Sequence, residues 1–179
     1  MLDTVMHMSY NWIMVVFDSS TIILLAKINI LELFISNYPG KVIIPQKVKL
    51  EVYSGEKEET PLIVKLIEDK RIEVIKVKNK KQMNKLIEDF NIDAGEAEAL
   101  TLAIQEGASI VGTDDRNAIR ACKILRLDFV TAIAILIRTL EKDLIERDEA
   151  LIKLQKLQSI GRYNRKIIED AIKHIKGDT

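Results

Sequence analysis

Met14-Val15-Val16-Phe17-Asp18-Ser19-Ser20-Thr21 decides how this chain folds. An apolar run leads straight into an aspartate, and hydroxyl residues follow it. A short run rich in Val reads as a buried strand. Hydroxyl residues ahead of a longer apolar, periodic stretch are a helix-start signal. The segment therefore predicts a strand over 14–17, an acid at its end, and a helix over 22–35.

The same order recurs downstream. Pro39-Gly40 leads into a second strand over 41–45 and a helix over 46–53, which stops at Ser54-Gly55. Thr60-Pro61 opens another helix, with proline tolerated in the first turn. Alternation over 71–77 predicts a strand near the sheet edge. Amphipathic helices follow over 79–90 and 93–106, the latter closed by Gly107, which suits a left-handed cap. Residues 108–112 read as a strand ending in Thr113-Asp114-Asp115. A helix over 115–127, a short strand over 128–131 and roughly three helices over 132–175, broken at Gly161, complete the pattern. Strands alternating with helices predict an α/β fold with a parallel sheet and right-handed crossovers. Function in such sheets gathers at the carboxyl ends of the strands.

The 179 residues suffice for one domain with one sizeable core. At 47% hydrophobic and 30% charged, the chain is globular rather than disordered. Its abundant Lys and Glu are the compositional signature of a thermophile. A formal net charge of zero argues against indiscriminate nucleic-acid binding, because phosphate contacts need clustered cations. Arg71, Lys76, Lys78, Lys80, Lys81 and Lys85 make one local basic stretch, which reads either as a path for a nucleic-acid backbone or as solvated surface. Cys122 is the single cysteine, so no intrachain disulfide or cysteine zinc cluster can form, which fits a reducing cytoplasm. No apolar stretch reaches the length of a membrane span. Residues 1–13 lack a basic n-region and a clear cleavage site, so they read as an N-terminal arm or a mis-assigned start rather than a signal peptide.

The carboxylates carry the chemistry. Asp18 and the pair Asp114/Asp115 each follow an apolar strand, which brings them to one sheet edge. Like charges gathered there are unfavourable unless something compensates, and a divalent cation is the natural compensator. Taken singly, each acid reads as a cap or turn residue; the whole set reads as ligands. Glu51 sits among Val48, Leu50 and Val52, facing either solvent or a site. Asp93 reads as a helix N-cap, and Glu96 stands at capping-box spacing from it. That structural role alone would account for both, since acids in a first turn also suit the helix dipole. The donors are all oxygen, which suits Mg²⁺ or Mn²⁺. Such an ion can lower the pKa of a water and stabilise the leaving oxygen of a phosphodiester. No Ser/His pairing or Gly-rich phosphate loop competes with this reading.

The strand ending in Asp-Ser-Ser (15–20), the Glu after the second strand, the acidic helix start and the strand ending in Thr-Asp-Asp together resemble a PIN domain. GEAEALTLA (95–103) and VGTDDRNAIRAC (111–122) are similar to one prokaryotic branch of that family, the VapC-like ribonucleases. The resemblance spans 14–145. It implies a Rossmann-like fold with a central parallel sheet flanked by helices, and an acidic pocket holding Mg²⁺ or Mn²⁺. It also implies endoribonuclease activity on RNA, often as the toxin of a toxin–antitoxin pair, and commonly a homodimer. Asp18 matches the family's first acid, Glu51 the second and Glu96 the third, which is more often Asp. Asp114 or Asp115 matches the fourth, because the extra Gly112 shifts the register by one. Ser20 matches a hydroxyl after the first acid, and Thr113 stands beside the fourth. Residues 146–179 are expected to form a helical extension packed on the same domain, offering a surface for dimerisation or for an antitoxin. A metal-dependent phosphatase on a similar sheet would want a second Asp where Ser20 stands. A phospho-receiver domain lacks its acid and lysine pair here. A non-catalytic PIN-like binding module is the remaining alternative.

Overall fold

The computed structural model describes residues 14–55, 57–108 and 110–177; the expectation for residues 1–13 lies outside them. In chain order the elements are β1 (Met14–Phe17), α1 (Ser19–Lys27), α2 (Leu31–Asn37), β2 (Lys41–Pro45), α3 (Gln46–Ser54), α4 (Thr60–Glu68) and β3 (Glu73–Ile75). Next come α5 (Lys80–Phe90), α6 (Ala94–Glu106), β4 (Ile110–Gly112), α7 (Arg116–Leu125) and β5 (Asp128–Val130). The chain continues through α8 (Ala132–Glu141), α9 (Arg147–Ile160) and α10 (Arg165–Lys176). The five strands form one parallel sheet in the order β3-β2-β1-β4-β5. This is the α/β, Rossmann-like architecture expected from the sequence.

Strand periodicity divides the core in two. Side chains alternate between sheet faces, so Val15, Phe17, Val42, Ile44 and Ile110 face one way. They pack against residues of α1 to α4 and of α8 to α10. Val16, Ile43 and Val111 face the other way, against α5, α6 and α7. Burial on both faces explains why the strands read as continuous apolar runs. The last two helices join the first core through Ala150, Leu154, Leu157, Ile168, Ala171 and Ile175. Each large apolar side chain buried in this way contributes about 1.5–3 kcal/mol.

The structure corrects some element boundaries. The single helix expected over 22–35 is two helices, α1 and α2, bent by 104°. Asn29 causes the break: its φ of 55° is left-handed, a conformation Asn tolerates better than most residues. Asp18, and not the hydroxyl residues, is the N-cap of α1. The edge strand expected over 71–77 shrinks to β3, although the flanking Ile72 and Val77 remain buried. Asp115 caps α7 instead of opening it, and Arg126 ends that helix at a left-handed φ of 56°. The break at Gly161 stands where expected, between α9 and α10. Among the described residues, no single helix is long and apolar enough to cross a membrane.

Register delivers the acids to one place. Phe17 pairs with Gly112, and the Asp18 N–H donates to the Gly112 carbonyl at 3.1 Å. Asp18 and Thr113 therefore leave neighbouring strands side by side. Gly112 is required by close approach: a Cβ there would strike the Phe17 ring. Gly112→Ala is expected to destabilise the fold by about 1–3 kcal/mol, the range for overpacking a core. Thermal melting measures this, and an unchanged midpoint would mean that the Phe17 ring can simply move aside.

Candidate active site at the carboxyl edge of the sheet

Asp18 is the centre of the edge. Its side chain ends β1 and caps α1, with Oδ1 accepting from the Thr21 N–H at 2.8 Å and the Ser20 hydroxyl at 3.1 Å. Asp18 is only 2% exposed, and its Oδ2 is buried without a hydrogen-bond partner. Burial raises its carboxyl from 3.8 to about 6. The neighbouring Thr113 and Thr21 ease its ionisation, while Asp114 opposes it.

A second group of acids comes from the start of α6. Asp93 and Glu96 form a complete capping box: the Glu96 N–H donates to Asp93 Oδ1 at 2.8 Å, and the Asp93 N–H donates to Glu96 Oε2 at 2.9 Å. The structural role suggested by the spacing is therefore present. It does not exhaust Glu96, whose carboxyl is pushed up to about 7. Burial is the main cause, and the charges of Asp93, Asp115 and Asp18 add to it. Glu96 thus feels acids from the ends of both β1 and β4. Glu51, on α3, reaches the same helix start. A Cβ on Gly95 would lie 3.4 Å from Glu51 Oε1 and 3.3 Å from Asp93 Oδ1, so both carboxylates stand against the first turn of α6. Glu98 turns elsewhere and accepts the Lys47 N–H at 3.1 Å, tying α6 to the start of α3.

The two acids after β4 differ in their surroundings. Asp114 is almost fully engaged. Its Oδ2 accepts from the Thr21 hydroxyl at 2.9 Å, its Oδ1 from the Tyr163 hydroxyl at 2.7 Å, and both oxygens from the Ala132 N–H. Burial raises its carboxyl, and those donors offset part of the rise. Asp115 caps α7, taking the Asn117 and Ala118 N–H groups on Oδ1 alone, and its charge is felt by Glu96. Thr113 accepts the Asp115 N–H at 3.3 Å and lies beside Asp18.

The edge suits a hard divalent cation in kind: the donors are oxygens, one is a buried orphan, and burial and like charge disfavour ionisation of Asp18 and Glu96. Yet among the described residues no three acid, His or Cys side chains are drawn together closely enough to hold an ion as they stand. Cys122 lies buried nearby with its thiol pushed up to about 12, chiefly by burial, so it is no nucleophile. Sequence reasoning missed Thr21 and Tyr163. Thr21 stood in the noticed run of hydroxyls; Tyr163 carried no local signal, because its partner is 49 positions away.

Comparison with known proteins agrees with this geometry. A search of curated proteins gives no match. Among solved structures, PAE2754 from Pyrobaculum aerophilum is similar with a TM-score of 0.51 and 13% identity, over 72% of this chain and 90% of that one. At that identity the likeness speaks for the fold alone. The family DUF3368, described as a PIN domain, matches residues 14–177, which takes in β1 through α10. A match over nearly the whole chain, on a parallel sheet with acids at its carboxyl edge, places it: the chain belongs to the PIN domain family.

Proposed function

We propose that this chain is a metal-dependent endoribonuclease that hydrolyses RNA phosphodiesters at the acidic edge. PIN domains are generally nucleases, bind nucleic acid and typically use divalent metals. The observation that carries the reading is Asp18, a buried carboxylate with an orphaned oxygen, within electrostatic reach of Glu96. Mg²⁺ or Mn²⁺ bound there would lower the pKa of a water and neutralise charge developing on the phosphate. Asp18, Glu51, Glu96 and Asp115 would hold the ion, while Asp114, with its oxygens already engaged, would serve as an anchor. Ser20 and Thr113 would orient Asp18.

The surroundings suit a polyanion. All five strands are parallel, so the turn after β3 opens on the same edge as Asp18. Lys76, Lys78, Lys80 and Lys81 stand on that turn and the start of α5, all exposed. Arg116, also exposed, follows Asp115 directly. Cations placed around an acidic centre draw a phosphate backbone toward it. The finer reading is a cytoplasmic toxin restrained by an antitoxin and acting as a homodimer. Exposed Ile152 and Ile167 on α9 and α10 are apolar surface of the kind such contacts use. One observation favours a second reading, a non-catalytic binding module: the acids are not gathered for ligation as they stand.

RNA cleavage separates the two readings. With Mn²⁺ the wild type should cut single-stranded RNA, and EDTA should abolish cutting. Asp18→Asn should lower the rate on the order of 10²–10³-fold, the scale for losing one electrostatic group at a reacting centre. Full Mn²⁺-dependent cleavage by Asp18→Asn would reject the mechanism. Absence of both cleavage and calorimetric Mn²⁺ binding in the wild type would leave the binding module.

A pH series tests the electrostatics. The folded-state carboxyl of Asp18 is raised, so its cost is absent below 3.8 and is fully present above about 6. Raising this group to about 6 costs about 3 kcal/mol at neutral pH. In EDTA, Asp18→Asn should therefore melt above the wild type at pH 7, with the gap closing toward pH 4. Saturating Mn²⁺ should reverse the order at pH 7 by stabilising the wild type alone. A gap in EDTA that does not change with pH would show that Asp18 ionises without penalty.

A further inference from the structure

Asp114 is the one acid of the edge that turns toward the C-terminal helices. Its carboxylate collects donors from three separate parts of the chain: the Thr21 hydroxyl in the first turn of α1, the Ala132 N–H at the start of α8, and the Tyr163 hydroxyl in the turn between α9 and α10. Thr21 joins two carboxylates, because its N–H is bound to Asp18 Oδ1 at 2.8 Å while its hydroxyl is bound to Asp114 Oδ2. A continuous path therefore runs from Tyr163 through Asp114 and Thr21 to Asp18. The Tyr163 end of the path is built in. A Cβ on Gly161 would collide with the Tyr163 ring, so the chain break between the two helices is shaped to let that ring in. The ring is half-buried and packs against the first core.

We propose that Tyr163 is a positioning residue of the acidic site. Its hydroxyl keeps the Asp114 carboxylate fixed to the first turn of α1, leaving Asp18, Glu51, Glu96 and Asp115 to hold the ion. An ionised carboxylate offers about four acceptor positions, and those of Asp114 are largely filled. Without the Tyr163 hydroxyl, Oδ1 keeps only the longer Ala132 contact at 3.2 Å. The carboxylate is then freer to rotate, and Thr21, which also binds Asp18, loses a fixed partner. The C-terminal helices in this way complete the site without contributing a ligand. The inference rests on the metal-dependent reading above.

The test compares the full-length wild type with Tyr163→Phe, which keeps the ring and removes only the hydroxyl, and with Ile168→Val, a core change in α10 that touches no acid. Calorimetric Mn²⁺ affinity, RNA cleavage and thermal melting are read on all three. Outer residues that orient ligands commonly change affinity or activity by about 10–100-fold, and Tyr163→Phe should fall at about tenfold in Mn²⁺ affinity and kcat, with KM for RNA little changed. Ile168→Val should lower the melting temperature alone. If Tyr163→Phe also lowers only the melting temperature, Tyr163 is merely a packing contact and the proposal is overturned while the nuclease reading stands. A wild type that neither binds Mn²⁺ nor cuts RNA overturns the metal reading, and the role of Tyr163 falls with it.

Discussion

Everything at the working edge follows from one unfavourable act, the burial of the Asp18 carboxylate at the end of a hydrophobic strand. The fold offsets part of that cost with the α1 N-terminus, through the Thr21 N–H, and with the Ser20 hydroxyl. It leaves one oxygen without a partner. A carboxylate kept in this condition is poorly served by its own protein, and under the proposed function that unmet oxygen is what a cation would satisfy. Glu96 extends the same logic, since a capping box satisfies part of its group while three neighbouring acids disfavour its charge.

The parallel sheet makes that arrangement possible. Alternating side chains bind helices to both faces, so the strand ends are the places where polar groups can emerge together. Register then sets the distances. The pairing of Phe17 with Gly112 puts Asp18 beside Thr113, and the missing Cβ of Gly112 leaves room for the Phe17 ring against β4. The glycine that shifts the acid motif by one position is thus a packing requirement of the sheet.

Much of this was legible in the sequence because it is local. Apolar runs ending in acids gave the strand ends, and Asp93 with Glu96 at capping-box spacing gave the α6 start. Other features were hidden for physical reasons. The bend between α1 and α2 depends on one backbone dihedral at Asn29, which the apolar pattern does not record. The difference between Asp114 and Asp115 is a matter of side-chain direction, set by Tyr163 and Ala132. A pairing between residues so far apart in the chain leaves no periodic trace.

The central position of β1 governs the order in which the molecule can be made. β1 emerges from the ribosome before the other strands, yet it lies between β2 and β4. Its pairing with residues 110–112 must wait until most of the sheet has been synthesised. Contacts over such sequence separations close late and at an entropic cost. The Tyr163 contact with Asp114 forms later still, once the turn after α9 exists. The acids of the edge therefore cannot be brought together until the chain has been made through β4, and Asp114 gains its last donor only once the turn after α9 has followed.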